Sequence, residues 1–285
     1  MDLDKIRKAR EQKSLTGGNN SLVVSKRRDS IAELKSSIVT KKETLEEKLA
    51  VRCARVISQV SDIIKSNRTE IVGIFDCSTS VEGTEKVTAN SYYEMLEKER
   101  KKGYPTTVST IIFGENDRVL HDRLDISEIR PFSYTAYGNT LFFDTFVKHL
   151  RRIDAIHKKM KPEEVPTKKL AVIMTDGGDN RSTKYNIEDA RKLVEEFGAN
   201  GWEFIYLCAD KDLTYVASAM GIKPSNVEMY LTSGIKQNFE AVSNALDDMH
   251  EKGAISADWS KPIKENNRLR LTGGTNDKPN ILKLK

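Results

Sequence analysis

Apolar residues in the central part of the chain follow two patterns, short continuous runs and longer stretches of helical period. Strand-sized runs that end in polar loops lie at residues 70–75, 169–175, 202–208 and 227–231. Stretches of helical period lie between or after them, at 84–102, 187–197, 213–220 and 235–250. Continuous apolar runs of this length are typical of strands buried on both faces. The alternation therefore predicts an α/β domain over residues 67–253, with a mostly parallel central sheet and helices on both faces.

One pair of predicted strands is joined by a tight polar turn. Residues 106–113 and 119–126 flank the turn at 114–117, and two such runs separated by a short polar segment predict a hairpin. The hairpin adds one antiparallel edge strand to the sheet. A further helix is expected to begin at Asn139 and Thr140, because polar residues directly before an apolar-periodic stretch mark a helix start.

The chain before this domain has two parts. The first 28 residues are polar, contain Gly17 and Gly18, and are predicted to be a flexible basic segment. Residues 29–66 are predicted to form an amphipathic helical extension. Its apolar residues recur at steps of three, four and seven: Ile31, Leu34, Ile38, Leu45, Leu49, Val56, Val60 and Ile63. The helix could pair as a coiled coil, but Lys41 and Lys48 interrupt the seam, so packing on its own domain is the favoured interpretation.

Charge is distributed unevenly along the chain. Residues 1–69 carry 16 basic and 9 acidic side chains, and residues 261–285 carry 7 and 2. The net charge is therefore +7 for residues 1–69 and +5 for residues 261–285. Because the whole chain has a net charge of +5, residues 70–260 carry −7. Residues 254–285 are predicted to form a basic C-terminal tail. Basic ends on an acidic body either keep the chain soluble, which is the favoured interpretation, or bind an acidic partner or nucleic acid.

Composition and short sequence patterns indicate a globular protein without a membrane span, a signal peptide or a zinc motif. The chain is 38% apolar and 31% charged, which is an ordinary globular balance. Its longest apolar runs are far too short to cross a membrane, and its start lacks the apolar core of a signal peptide, so a cytoplasmic location is expected. Cys53, Cys77 and Cys208 form no CxxC pair and are expected to stay reduced. The four histidines show no zinc-like spacing.

Oxygen-bearing side chains cluster in three loops. Asp76, Ser78 and Ser80 directly follow one buried strand, Thr140 lies at a helix start, and Asp176 directly follows another buried strand. Ligands of open α/β sheets bind beyond the carboxyl ends of the strands, so these oxygens are expected to converge. Hard cations such as Mg²⁺ prefer oxygen ligands. These five residues are therefore the candidate metal ligands.

The same loops contain glycines and two further polar residues. Gly138 is expected to let the second loop approach closely, and Gly177 and Gly178 are expected to permit a sharp turn that directs Asp176 at the cation. Asp179 and Asn180 are expected to solvate their loop. The alternative for this pair is a role in tuning the site or in contacting a partner.

The DxSxS sequence at 76–80, the threonine beside a glycine loop at 140 and the TDG sequence at 175–177 resemble a known site. It is the metal-ion-dependent adhesion site of von Willebrand factor A (vWA) domains, the family of the integrin I domains. The resemblance covers residues 67–253 and implies a Rossmann-like vWA fold. It is strongest to stand-alone vWA proteins of bacteria and phages, through the stretches at 175–180 and 201–206.

The resemblance also implies how the site works. Ser78, Ser80 and Thr140 would bind the cation directly, and Asp76 and Asp176 would act directly or through water. The cation would be Mg²⁺ or Mn²⁺, and an aspartate or glutamate of a protein partner would complete its coordination.

The expected function is therefore a metal-dependent protein-interaction module without enzymatic activity. A two-metal hydrolase needs several carboxylates around ions about 3.5–4 Å apart, and these loops offer at most Asp76, Asp176 and Asp179, with no histidine placed as a base. No P-loop, GxSxG or HExxH sequence occurs. The second hypothesis is a nucleic-acid-associated adaptor that binds through the basic ends, although no RNP-type or zinc motif favours specific recognition. The oligomeric state is left open.

Overall fold

The structure is a computed structural model that describes residues 3–66 and 68–272, with side chains described for 25–62 and 68–270. It divides into two compact units, Met1–Asp62 and Ile63–Lys285. The helices are α1 (Leu3–Ser66), α2 (Glu85–Lys102), α3 (Phe142–His157), α4 (Ile187–Ala199), α5 (Asp212–Ala219), α6 (Ile235–Glu251) and α7 (Lys261–Thr272). The strands are β1 (Thr69–Asp76), β2 (Thr106–Phe113), β3 (Asp117–Asp125), β4 (Lys168–Thr175), β5 (Trp202–Cys208) and β6 (Val227–Met229).

The six strands form one sheet in the order β3-β2-β1-β4-β5-β6. All neighbouring pairs are parallel except β2 and β3, which form the antiparallel hairpin at one edge. Every residue of β1 is buried, as expected for the central strand of a sheet covered on both faces. The predicted fold class is confirmed: a Rossmann-like α/β fold, mostly parallel, with one antiparallel edge strand.

Alternate residues of the strands supply two separate cores. In β1, Ile71 and Phe75 pack into the core shared with α2 and α6, whereas Val72 and Ile74 pack into the core shared with α3, α4 and α5. The two-residue period of a strand produces this division, because successive side chains point to opposite faces. The sheet therefore lies between two layers of helices.

The N-terminal unit differs from the prediction. Helix α1 is continuous from Leu3 to Ser66, so its backbone is helical where the sequence predicted a flexible segment up to residue 28. Residues 3–66 contain no proline and many Lys, Arg, Glu and Leu residues, all of which favour helices. The pair Gly17–Gly18 costs only about 1 kcal/mol per residue relative to alanine, which does not end a long helix.

The predicted boundary between the α/β domain and the C-terminal tail, after residue 253, also differs from the structure. The predicted tail at 254–285 contributes to the fold as far as Thr272, because α7 packs on α6 and the side chains of Trp259 and Ile263 are each 1% exposed. The indole of Trp259 donates to the carbonyl of Ser225 at 2.8 Å, and Ser260 donates to Glu228 at 2.6 Å. The large apolar residues of this stretch are few and irregularly spaced (Ile255, Trp259, Ile263, Leu269 and Leu271), which gives too weak a periodic signal to be recognised. The rest of the predicted tail, residues 273–285, lies outside the described residues.

Across residues 3–66 and 68–272, each helix is either too short or too polar to span a lipid bilayer.

Candidate metal centre

The candidate centre lies at the carboxyl edge of the sheet, where β1 and β4 are neighbours. The chain leaves β1 toward β2 on one side, and β4 and β5 lie on the other side, so the strand order reverses at this point. Such a reversal separates the two flanking loops and opens a crevice in which α/β proteins bind their ligands. The loops that follow β1 and β4 border this crevice.

The loop after β1 carries three of the predicted ligands. The carboxylate of Asp76 accepts from the backbone N–H of Ser78 at 2.8 Å, which closes a tight turn. The residues Thr79–Val81 then form a short 3₁₀ helix, and the hydroxyls of Ser78 and Ser80 come to 2.9 Å of each other. Asp76 and Ser78 are buried and Ser80 is exposed, so the oxygens form a row that runs from the core to the surface.

The loop after β4 joins this row through two side-chain hydrogen bonds. The hydroxyl of Ser80 donates to Asp176 Oδ1 at 2.5 Å, and the hydroxyl of Thr175 donates to Asp76 Oδ2 at 2.6 Å. Thr175 was not predicted as a site residue. Its position before Asp176, at the buried end of a strand and facing Asp76, is the signal that could have identified it.

Thr140 brings the third loop to the same place. Its side chain is buried, and the space beside Gly177 lies between Thr140 and Ser80. A methyl group on Gly177 would lie 3.7 Å from Thr140 Oγ1 and 3.8 Å from Ser80 Oγ. Two further hydrogen bonds tie the two loops: Thr140 N–H donates to the side-chain oxygen Oδ1 of Asn180 at 2.8 Å, and Asn180 N–H donates to the Thr140 carbonyl at 3.1 Å. All five candidate ligands therefore lie around one small region.

Gly138 allows this close approach, as predicted. Its φ is +79°, and an added Cβ would lie 2.4 Å from the Cβ of Glu115, so no other residue fits without displacing the backbone. Gly177 and Gly178 differ from the prediction. Neither has a positive φ, and the nearest contacts of an added Cβ on Gly177 are 3.7 Å away, with none within 4 Å for Gly178. The turn that positions Asp176 does not require them.

Asp179 holds the start of α3 in place. Its carboxylate accepts from the backbone N–H groups of Phe142 and Phe143 at 2.8 and 2.9 Å, and from the hydroxyl of Ser182 at 2.6 Å. The first N–H groups of a helix have no partner within the helix, so this carboxylate acts as a cap supplied from another loop. Asp179 and Asn180 thus fix the Thr140 loop against the loop after β4, a role that replaces the predicted loop solvation.

The two carboxyl groups of the site are held in an unfavourable electrostatic environment. Burial raises the pKa of Asp76 to about 6. Hydrogen bonds from Ser78 and Thr175 act against this rise, and the negative charge of Asp176 adds to it. Burial likewise raises the pKa of Asp176. Within the described chain, neither carboxylate forms an ion pair with a lysine, arginine or histidine. Buried charges are normally paired, bound to a metal or neutralised by protonation, so a cation bound here would stabilise the ionised pair.

The donor set fits a hard divalent cation. Three neutral hydroxyls and two carboxylates are oxygen ligands of the kind that Mg²⁺ and Mn²⁺ prefer. Ser80 is exposed and Asp176 is half-buried, so one side of the cluster faces solvent. Next to it, a pocket of about 450 Å³ is lined by Cys77 of the first loop and by Arg118, Tyr134 and Tyr137. The exposed hydroxyl of Ser80 and the half-buried carboxylate of Asp176 are the parts of the cluster that an incoming group can reach.

Comparisons with known proteins give likenesses of fold. No protein-family model matches the chain, and no curated protein is similar to it. Similar solved structures include a von Willebrand factor type A protein from Catenulispora acidiphila, at 17% identity and a TM-score of 0.43, covering 63% of this chain and 43% of that one. They also include the manganese-loaded TRAP protein of Plasmodium vivax, at 12% identity and a TM-score of 0.40, covering 57% and 68%.

A third similar structure is proximal thread matrix protein 1 of the mussel byssus, at 17% identity and a TM-score of 0.46. The match covers 63% of this chain and 48% of the mussel chain, so it spans about half the length of that protein. At such identities and TM-scores nothing about the site follows from these likenesses. The structures similar to this chain include vWA domains, and its own sheet is mostly parallel with the single antiparallel edge that the sequence predicted.

Proposed function

We propose that this chain is a protein-interaction module that holds Mg²⁺ or Mn²⁺ between Asp76, Ser78, Ser80, Thr140 and Asp176 and captures a carboxylate of a protein partner. The observation that carries the proposal is the meeting of three loops around one oxygen cluster, bridged by the bond from Ser80 to Asp176 at 2.5 Å. Because three of the five proposed ligands are neutral hydroxyls, the cation keeps more of its positive charge than it would among carboxylates alone, and so attracts an incoming carboxylate.

The surroundings of the cluster support a binding surface. The oxygen row begins at buried Asp76 and ends at exposed Ser80, so the outer side of the cluster is open to a partner. The neighbouring pocket offers the guanidinium of Arg118 and the ring of Tyr137, which is 71% exposed. Residues that flank the partner's acidic side chain would contact these groups. Aromatic and arginine side chains are enriched at protein interfaces.

Binding without catalysis is part of the proposal. His149 bonds to Asp117, His157 bonds to Glu70 at 3.1 Å and His121 bonds to Thr110 at 3.0 Å, and none of these partners belongs to the oxygen cluster. Among the described residues, no group of three or more His, Cys, Asp or Glu side chains is placed to hold a metal. Two-metal hydrolases rely on such groups.

The test is a capture experiment in which the full chain is immobilised and partner proteins are retained on it. The wild type is compared with Asp76→Ala, each in the presence of Mg²⁺ and in the presence of EDTA. We expect a set of proteins retained only by the wild type with Mg²⁺, and we expect excess free acetate to release it. Asp122→Ala is the control, because Asp122 is an exposed acid on β3 that pairs with Arg152. Equal retention with EDTA, or equal retention by Asp76→Ala, would rule the proposal out.

The second candidate function is nucleic-acid binding through the basic ends of the chain. This function would not depend on the bound cation. Truncation after Thr272 separates the two ideas. It removes 3 basic residues and 1 acidic residue, and we expect Mg²⁺-dependent capture to persist because all five candidate ligands remain. A loss of DNA or RNA retention in the truncated chain, with capture unchanged, would add the adaptor function.

A further inference from the structure

The N-terminal helix presents an unusual amount of apolar surface. Of 16 large apolar side chains that are exposed in the described chain, 10 lie on α1 between Ile31 and Val60. Scattered single apolar residues on a surface are normal, but a concentration of this kind marks a contact surface. An isolated helix also gains little stability from its own hydrogen bonds, since helices in proteins are stabilised mainly by packing of an apolar face.

These side chains follow a regular spacing of 11 residues. Starting at Ile31, steps of three, four and four give the positions 31, 34, 38, 42, 45, 49, 53, 56, 60 and 64. Nine of these ten positions hold an apolar residue, counting Cys53, and the exception is Lys42. Between Ile31 and Val60, seven of these positions hold an apolar residue other than Cys53, and their side chains are 48–68% exposed. We call these ten positions the α1 stripe.

The spacing resolves the objection that lysines interrupt a coiled-coil seam. Lys41 and Lys48 fall on a seven-residue seam, but neither is a position of the α1 stripe. An 11-residue repeat corresponds to about 3.67 residues per turn, so the stripe runs nearly parallel to the helix axis. From Ile31 to Ile64 it extends for about 50 Å at 1.5 Å per residue.

Few structures can cover such a stripe along its whole length. Two helices that cross at an ordinary packing angle touch over only a few turns, and a helix with a seven-residue repeat would drift away from an 11-residue one. A helix about 50 Å long with the same 11-residue repeat can cover the stripe over its whole length. A second copy of α1 meets both conditions, and each apolar layer then faces an apolar layer.

We propose that this chain forms a dimer in which the α1 stripes of two copies pack against each other as an 11-residue-repeat coiled coil. The proposal does not depend on the metal centre. Lys42 is the polar position in the stripe, and a single polar core position of this type is known to set register and oligomeric state at a cost in stability. Its ammonium group pairs with Glu46 at 3.8 Å one turn later, which holds it toward the edge of the stripe.

Sedimentation equilibrium of the full chain tests the proposal. We expect a dimer for the wild type at about 10 μM, and a dissociation constant raised at least about 100-fold for Leu49→Asp, because each dimer loses two buried leucines. Val51→Asp is the matched control. Val51 is 69% exposed and lies on the opposite side of the helix, two residues beyond Leu49, so this variant should remain a dimer.

A second variant covers the case in which Leu49→Asp disrupts the helix. Lys42→Leu completes the stripe, and we expect it to lower the dissociation constant about 10-fold or more. EDTA should leave the dimer unchanged, which separates failure of the dimer from failure of the metal centre. A wild type that is monomeric at about 100 μM, a Val51→Asp variant that dissociates as readily as Leu49→Asp, or no effect of Lys42→Leu would each overturn the proposal.

Discussion

At the scale of single residues, the candidate site contains one buried and one half-buried carboxylate, Asp76 and Asp176. Among the residues that the structure describes, neither forms an ion pair with a basic side chain. Asp76 is 4% exposed and receives hydrogen bonds from Ser78 and Thr175. Hydrogen bonds offset part of the cost of burying a charge, but the raised pKa shows that they do not offset all of it. The cation-free protein therefore stores an electrostatic cost that a bound cation would remove.

Replacing Asp76 with asparagine should reveal this stored cost. At pH 7 the ionised carboxylate, with a folded pKa of about 6 against an ordinary value of about 3.9, destabilises the cation-free fold by up to about 3 kcal/mol. We expect Asp76→Asn to raise the free energy of unfolding by about 1–3 kcal/mol in EDTA, measured by urea denaturation. With saturating Mg²⁺ the order should reverse, because only the wild type gains from binding. A variant less stable than the wild type in EDTA would contradict the electrostatic account.

The same pKa sets the pH dependence of cation binding. Burial raises the pKa of Asp76, so its protonated fraction grows as the pH falls through about 6, and a proton competes with the cation for the same oxygens. We expect the affinity for Mn²⁺ to be nearly constant from pH 8 to 7 and to fall about tenfold per pH unit below pH 6. Calorimetric titrations at several pH values check this. A constant affinity down to pH 5 would mean that Asp76 does not contribute.

Asp179 should matter for stability rather than for cation binding itself. Asp179→Ala removes the acceptor for two N–H groups at the start of α3, and losing a cap of this kind costs about 1–2 kcal/mol. We expect a lower thermal midpoint for Asp179→Ala. Asp212→Ala at the first turn of α5 is the control, because its side chain is exposed and is expected to change the midpoint little. Equal midpoints for Asp179→Ala and the wild type would refute the capping role.

At the scale of elements, the sequence predicted the positions of β1, β4 and β5 within one residue, because continuous apolar runs with polar ends are the strongest local signal. It placed the start of α3 at Asn139, whereas the helix begins at Phe142. The reason is that Asp179 supplies the cap from a distant loop, and no local pattern contains that contact. The contact of Thr175 with Asp76, 99 residues earlier, is likewise a tertiary contact, and in the sequence only the position of Thr175 directly before Asp176 points to it.

The C-terminal boundary gives an element-scale prediction. A chain that ends at residue 253 loses the buried side chains of Trp259 and Ile263, and deleting one large core side chain alone costs about 3–5 kcal/mol. We expect this truncation to lower the unfolding free energy by at least about 3 kcal/mol, measured by urea denaturation. A chain that ends at Thr272 should match the full chain within about 0.5 kcal/mol. Equal stability of both truncations would restore the boundary at residue 253.

At the scale of the whole molecule, the chain combines two separate features. One unit presents a hydroxyl-rich oxygen cluster at the switch point of a sheet, and the other presents an apolar stripe about 50 Å long. A dimer formed through the stripe would carry two oxygen clusters. Two linked sites bind a partner with repeated acidic residues far more tightly than one site does, through the raised effective concentration of the second contact.

The central claim is that three loops of this chain hold one divalent cation. Isothermal titration calorimetry of Mn²⁺ and Mg²⁺ into the full chain at pH 7.5 tests it most directly, with Asp76→Asn and Thr140→Val measured beside the wild type. We predict one saturable site per chain in the wild type and no detectable binding to Asp76→Asn. Binding to Thr140→Val should be at least about tenfold weaker, because losing even an outer-shell partner of a metal site costs about 10–100-fold in affinity. The absence of binding heat for both ions at several temperatures, or equal affinities in all three proteins, would contradict the claim.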